Sequence, residues 1–171
     1  MKKFLTIAAI LLMNFVLVAC GENALTSTVS GTSMYPAIGD GDTIKVSRTK
    51  NVKRSDIIMY EHDFGNGFAH GVARVIGIAG DKIEFVFHED FQHYEIYLND
   101  ELLLEDYISE PTKNSGTALV YNVGANEIFV MGDNRSVNTS DTNKPFSTDS
   151  RTFGNVSANK IVGVVVEIIK S

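Results

Sequence analysis

The sequence predicts an all-β protein built mostly from antiparallel strands. Three observations carry that prediction. Short runs of alternating, β-branched or aromatic residues fill most of the chain, Gly, Asn and Asp separate them, and helical periodicity is almost absent. The length of 171 residues, with 44% hydrophobic and 21% charged residues, suits one globular domain with a sizeable core. The same numbers exclude a disordered, collagen-like or disulfide-built chain. In order, strands are expected at 43–47, 56–60, 71–78, 82–87, 94–98 with 101–104, 118–122, 127–131 and 161–169. Asn99-Asp100 reads as the tight turn of a hairpin. The stretch from Asn134 to Ser150 is rich in Ser, Thr, Asn and Asp and contains Pro145, so it reads as a long loop or lid.

The start of the chain has a different character. Lys2 and Lys3 precede an apolar run over 4–19, broken only by Thr6 and Asn14, which is the pattern of a secretory signal. It ends in Leu17-Val18-Ala19-Cys20-Gly21, which resembles a bacterial lipobox. That resemblance implies a diacylglyceryl-modified Cys20 as the first mature residue, and lipid chains hold a protein on a bilayer. The alternative is an uncleaved signal anchor, for which the run is slightly short. Both place the folded part on the extracytoplasmic face of the cell membrane. The chain thus divides into a signal peptide over 1–19, a polar linker over 20–28 and a domain over 29–171.

Charge and cysteine content narrow the partners. Lys+Arg number 15 against 21 Asp+Glu, a net charge of -6, so the basic footprint that nucleic acid requires is missing. A single cysteine excludes an internal disulfide and a cysteine-rich metal site. His62, His88 and His93 are scattered, without metal-ligand spacing. No metal or cofactor is expected.

Three segments carry a specific resemblance. The first is Ser30-Gly31-Thr32-Ser33-Met34-Tyr35-Pro36, the second Arg74-Val75-Ile76-Gly77-Ile78-Ala79-Gly80-Asp81, and the third Met131-Gly132-Asp133-Asn134-Arg135, continued by Ser147-Thr148-Asp149-Ser150-Arg151-Thr152-Phe153-Gly154. In that order they resemble the G-x-S-M-x-P, K-R-V-I-G-x-x-G-D and G-D-N-R…S-x-D-S-R-x-F-G boxes of bacterial type I signal peptidases. These are Ser–Lys serine endopeptidases that cut signal peptides from exported preproteins. Further likeness lies in 53–58 and 97–103. The resemblance implies an antiparallel β architecture related to that of self-cleaving Ser–Lys repressors, with a small β extension inserted at about 85–125. The export signal and the lack of a DNA-binding domain argue against a repressor.

A serine hydroxyl needs a neighbouring base to become a useful nucleophile, and in this family a lysine with a burial-depressed pKa serves. By resemblance Ser33 is the nucleophile, and backbone N–H groups around it, helped by the small Gly31, form the oxyanion hole. Arg74 is implied to pair with Asp133 and Asp149 with Arg151, and the Ser147 hydroxyl to point where the lysine ammonium normally sits. Arg135 and Ser150 read as solvated loop residues. One departure dominates: Ala73 stands where the family has its lysine. Arg74 cannot replace that base, because a guanidinium stays protonated. His70 is the nearest titratable alternative, but an offset of three along a strand points to the other face unless a bulge at Gly71 re-aims it. A second departure is that Arg135 and Asp149 lie further apart than in typical members, so the intervening loop is enlarged. Two functions follow as expectations. One is a signal peptidase with impaired catalysis, acting on exported preproteins. The other is a non-catalytic peptide-binding or surface-protein assembly factor on the same fold.

Overall fold

The computed structural model describes residues 24–63, 67–113, 117–135 and 149–171. The expected signal segment, Cys20, Ser147 and most of the expected loop lie outside the described residues. Among the described residues eleven strands form two sheets, and every pairing between them is antiparallel. The larger sheet joins β1 (Ala24–Thr28), β2 (Thr43–Ser47), β3 (Ile57–Asp63), β4 (Phe68–Ile78), β9 (Glu127–Met131), β10 (Val156–Ser157) and β11 (Ile161–Ile169) in the order β1-β2-β11-β3-β4-β9-β10. The smaller sheet joins β5 (Lys82–His88), β6 (His93–Leu98), β7 (Glu101–Leu102) and β8 (Val120–Asn122) in the order β7-β6-β5-β8. It spans much of the stretch read as the inserted extension. The one α-helical turn among the described residues, α1, is Ser150–Phe153, so Ser150 opens a helix instead of ending a loop.

The residues explain most of this. β2 alternates, with Ile44 and Val46 fully buried between partly exposed neighbours. β9 reads as a nearly continuous apolar run because both faces are covered, and so does the second half of β4 from Val75. Val75 and Val130 enter a core with Ile44, Ile58 and Tyr60, whereas Ile76, Phe129 and Met131 enter a second core with Ile83, Phe85 and Ile96 of the smaller sheet. The two sheets therefore share β4 and β9 as a common wall. Gly77 permits that contact, since a Cβ there would lie 2.7 Å from Ile83 Cδ1. Asn99 and Asp100 have φ of 53° and 70°, the left-handed backbone that a two-residue hairpin turn needs.

Several boundaries differ from the sequence expectation. Ala24–Thr28, read as linker, is strand β1, paired with β2 from Ala24↔Ser47 to Thr28↔Thr43. Only Leu25 among its side chains packs against the core, so its composition looks like that of a loop. β3 and β4 run on through Glu61, His62 and Asp63 and back from Phe68 as a two-stranded ribbon, where polar residues need no core face. The strand expected at 101–104 stops at Leu102, and Leu104 is 83% exposed.

Candidate active site

Ser33 sits in a turn held from below and behind. Met34 and Ile38 are buried in the first core, and the Ile38 N–H donates to the Met34 carbonyl at 2.8 Å. With its neighbours anchored, Ser33 itself remains exposed. Gly31 has φ of 104°, a conformation that favours glycine, and its N–H donates to Asp40 Oδ1 at 2.7 Å. That N–H is thus committed to holding the turn, leaving other amides for an oxyanion. From the far side, the Asn134 N–H donates to the Ser33 carbonyl at 2.9 Å and Asn134 Nδ2 to the Thr32 carbonyl at 3.1 Å. Gly132 lies so close that a Cβ there would be 2.5 Å from the Ser33 carbonyl oxygen. These contacts tie the G-D-N-R segment directly to the candidate nucleophile.

Beside Ser33 opens a cleft of about 300 Å³ lined by Ser27, Thr28, Val29, Ser30, Met59, Tyr60, His70, Gly71 and Val72. Two strand edges border it. β1 pairs only with β2, through Val29 and its odd-numbered companions: the Val29 N–H donates to Asp42 O at 2.8 Å and the Val29 carbonyl accepts from Gly41. By antiparallel alternation the backbone groups of Thr28 and Ser30 face away from β2. On the other side, β9 pairs with β4 only from Arg74 onward, so no described strand covers 68–72 on that edge. Val75 bonds to Asp56 on the β3 side, which by the same alternation turns the N–H and C=O of His70 and Val72 toward the open edge. An extended peptide has hydrogen-bonding backbone available on both sides.

Ala73 is 2% exposed and lies opposite Ile58 in the first core. Carried one residue beyond Arg74↔Met131, the register brings Ala73 level with Gly132 and so next to the Ser33 turn. His70 is exposed, and the β3–β4 register runs unbroken through Tyr60↔Gly71. No bulge re-aims it, so His70 borders the cleft from the face opposite to Ala73. Sequence reasoning missed the partner of Gly71: a Cβ there would meet Tyr60 Cζ at 2.6 Å, so the tyrosine ring closes the floor of the cleft across the glycine. Burial, and after it the charge of Asp149, pushes the Tyr60 hydroxyl pKa well up, so it is no base.

The surrounding charges form buried pairs. Arg74 donates from Nε and Nη2 to the two oxygens of Asp133, at 2.8 and 2.6 Å. Burial opposes the charge on Arg74, but the bonds to Asp133 outweigh it and hold the pKa up. Asp149 caps α1 by accepting from the Arg151 N–H, receives Arg151 Nη2 at 2.8 Å, and also accepts from the Gly132 N–H at 3.1 Å. Two readings are corrected. Arg135, read as a solvated loop charge, has a fully buried side chain paired with Glu105, and Ser150 is fully buried with its Oγ accepting from the Val130 N–H. Both lie in polar sequence, and only their tertiary partners remove them from water. Among the described residues no group of three His, Cys, Asp or Glu side chains could hold a metal ion.

Known proteins resemble this chain in sequence. A signal peptidase I from Bacillus amyloliquefaciens is 31% identical over 148 residues, covering 79% of this chain and 68% of the relative. Signal peptidase IB from Staphylococcus aureus (strain Mu50 / ATCC 700699) is 28% identical over 158 residues, covering 81% and 73%. A crystal structure of a signal peptidase I from Enterococcus faecalis V583 aligns with 68% of this chain and 97% of its own, at 27% identity and a TM-score of 0.47. The family model described as "Signal peptidase, peptidase S26" matches residues 1–169, and the chain belongs to that family.

Proposed function

We propose that the chain binds signal-peptide-like segments of exported proteins in the Ser33 cleft, at the outer face of a membrane, and cleaves them feebly at most. The observation that carries this reading is the pairing of an exposed Ser33, beside a cleft with two open strand edges, with a buried alanine at the neighbouring position 73. A peptide added between β1 and the 68–72 edge of β4 would extend the sheet and bring its backbone past the Ser33 hydroxyl. Small side chains fit, because the Tyr60 ring fills the floor below Gly71. Catalysis is the weak part. Of the side chains lining the cleft only Tyr60 and His70 are of an ionisable type, and neither sits where a residue-73 amine would. Loss of a general base costs on the order of 10²–10⁴ in rate. The retained, exposed serine favours a residual endopeptidase over a pure binding factor. In this reading Gly31, Arg74, Asp133, Ser147, Asp149 and Arg151 hold the Ser33 turn and the base position in place, and a lipid on Cys20 attaches the domain to the membrane.

The deciding experiment compares preprotein cleavage by the wild type, Ala73→Lys and Ala73→Lys with Ser33→Ala. A lysine at 73, walled by Ile58 and Tyr60, would have its neutral form favoured by burial. Cleavage should rise by about 10²–10⁴ in Ala73→Lys and vanish with Ser33→Ala. Robust wild-type cleavage that is lost in His70→Ala would replace this reading with a Ser–His enzyme. Mass spectrometry of the membrane fraction tests the anchor: a mature chain beginning at diacylated Cys20 supports it, and retention of residues 1–19 on an unmodified cysteine restores the uncleaved signal anchor.

A further inference from the structure

The segment of the extension that follows β7 returns two side chains, Glu105 and Tyr107, toward the larger sheet. Glu105 pairs through both carboxylate oxygens with Arg135, whose Nη1 also donates to Thr112 Oγ1 at 2.9 Å and whose Nε donates to the Gly132 carbonyl at 3.0 Å. Side-chain exposures of 0% for Arg135 and 7% for Glu105 make this the most deeply buried ion pair joining the extension to the rest of the molecule among those described. Two residues on, the Tyr107 hydroxyl donates to Glu105 at 2.6 Å, and the Tyr107 ring lies 4.0 Å beneath the Arg74 guanidinium. Arg74 in turn holds Asp133. Glu105 and Tyr107 therefore act on both ends of one short segment: Arg135 is bonded to the Gly132 carbonyl, and Asp133 is fixed by Arg74. Between these points leave the Asn134 contacts to Ser33 and Thr32, and the close approach of Gly132 to the Ser33 carbonyl.

We infer that Glu105 and Tyr107 of the inserted extension are positioning residues for Ser33, acting through Arg135 and Arg74 on the Gly132–Asn134 clamp. The inference rests on the reading of Ser33 as the nucleophile beside the peptide cleft. It gives the extension a task that a remote β appendage would lack. A charge buried this fully is held in one orientation by its partner, so the pair sets a distance and does more than add cohesion. Neither residue reaches the cleft, and neither touches substrate in the proposed binding mode.

The test uses Glu105→Gln, which keeps shape and removes charge, and Tyr107→Phe, which keeps the ring under Arg74 and removes one hydrogen bond. Amide hydrogen exchange is read in the full chain. In Glu105→Gln, the Asn134 and Tyr35 amides should exchange about tenfold faster while the amides of β2 stay near their wild-type rates, and Tyr107→Phe should move the same amides by less. Uniform acceleration across the molecule would reduce the pair to general stability and overturn the inference, as would unchanged Asn134 and Tyr35 amides. In the Ala73→Lys background, Glu105→Gln should lower kcat about tenfold with KM nearly unchanged. A loss confined to KM would overturn the positioning role. If Ala73→Lys cleaves nothing, the proposed function fails, and the exchange measurement still decides the inference by itself.

Discussion

Asp42 accepts from the Gly39 N–H at 2.7 Å, from Lys170 Nζ at 2.9 Å and from the Ser171 N–H at 3.0 Å, fastening the loop after the Ser33 turn to the end of β11. The Gly39 N–H, then Lys170, then the Ser171 N–H bring its carboxyl pKa down from 3.8 to about 2. A depressed carboxylate stabilises the fold at pH values above its ordinary pKa, and that contribution disappears as pH falls through the folded value. The window is thus from just above 4 down to about 2. Thermal melts across it should fall more steeply with acid in the wild type than in Asp42→Asn, whose side chain carries no charge to lose; parallel slopes would remove Asp42 from the acid response. Single residues such as this one were not legible in the sequence. An Asp in a Gly-rich turn looks like any other, and the partners that define it lie far along the chain. Gly132 is similar. Its motif was legible, but its reason, the Ser33 carbonyl against its Cα, exists only once β9 and the Ser33 turn meet.

At the scale of elements, the peptide cleft depends on which backbone groups an edge strand leaves unpaired. The Thr28 N–H points away from β2, so Thr28→Pro removes a donor toward the cleft and spares the ladder to β2. Thr28→Pro should therefore lose most affinity for a signal-peptide-like segment in a titration, with a stability change within about 1 kcal/mol by urea unfolding. Retained affinity would show that the peptide does not pair with β1. The strands themselves were largely readable: 43–47, 127–131 and 161–169 match β2, β9 and β11 residue for residue, because alternation or a buried apolar run leaves a strong local signal. β1 was not readable. An edge strand with one flank unpaired and most side chains in water carries no such pattern, and its pairing is decided by β2.

The whole molecule is two cores on a shared wall. β4 and β9 send alternate side chains into each, so packing in the extension is felt in the sheet that carries position 73. Gly77 lies where β4 packs against the second core. A methyl group there meets Ile83 Cδ1 at 2.7 Å and Val123 Cγ2 at 3.2 Å. Gly77→Ala should cost roughly 1–3 kcal/mol through overpacking. Combining it with Ile83→Val, which removes the closest atom, should recover part of that cost in a double-mutant cycle of denaturation midpoints. Strict additivity would mean that the two residues are not in the contact described.

The sequence by itself determined the all-β class, most strand positions and the family, because periodicity, turn residues and motif order are local properties. Only the tertiary structure decided that residues 24–28 form an edge strand whose end borders the cleft, that the Tyr60 ring closes the cleft floor across Gly71, that His70 faces away from position 73, and that Arg135 and Ser150 are buried. Each of these depends on what a distant strand brings opposite a residue. Burial and hydrogen-bond satisfaction are set by such neighbours, and they lie tens of residues away along the chain.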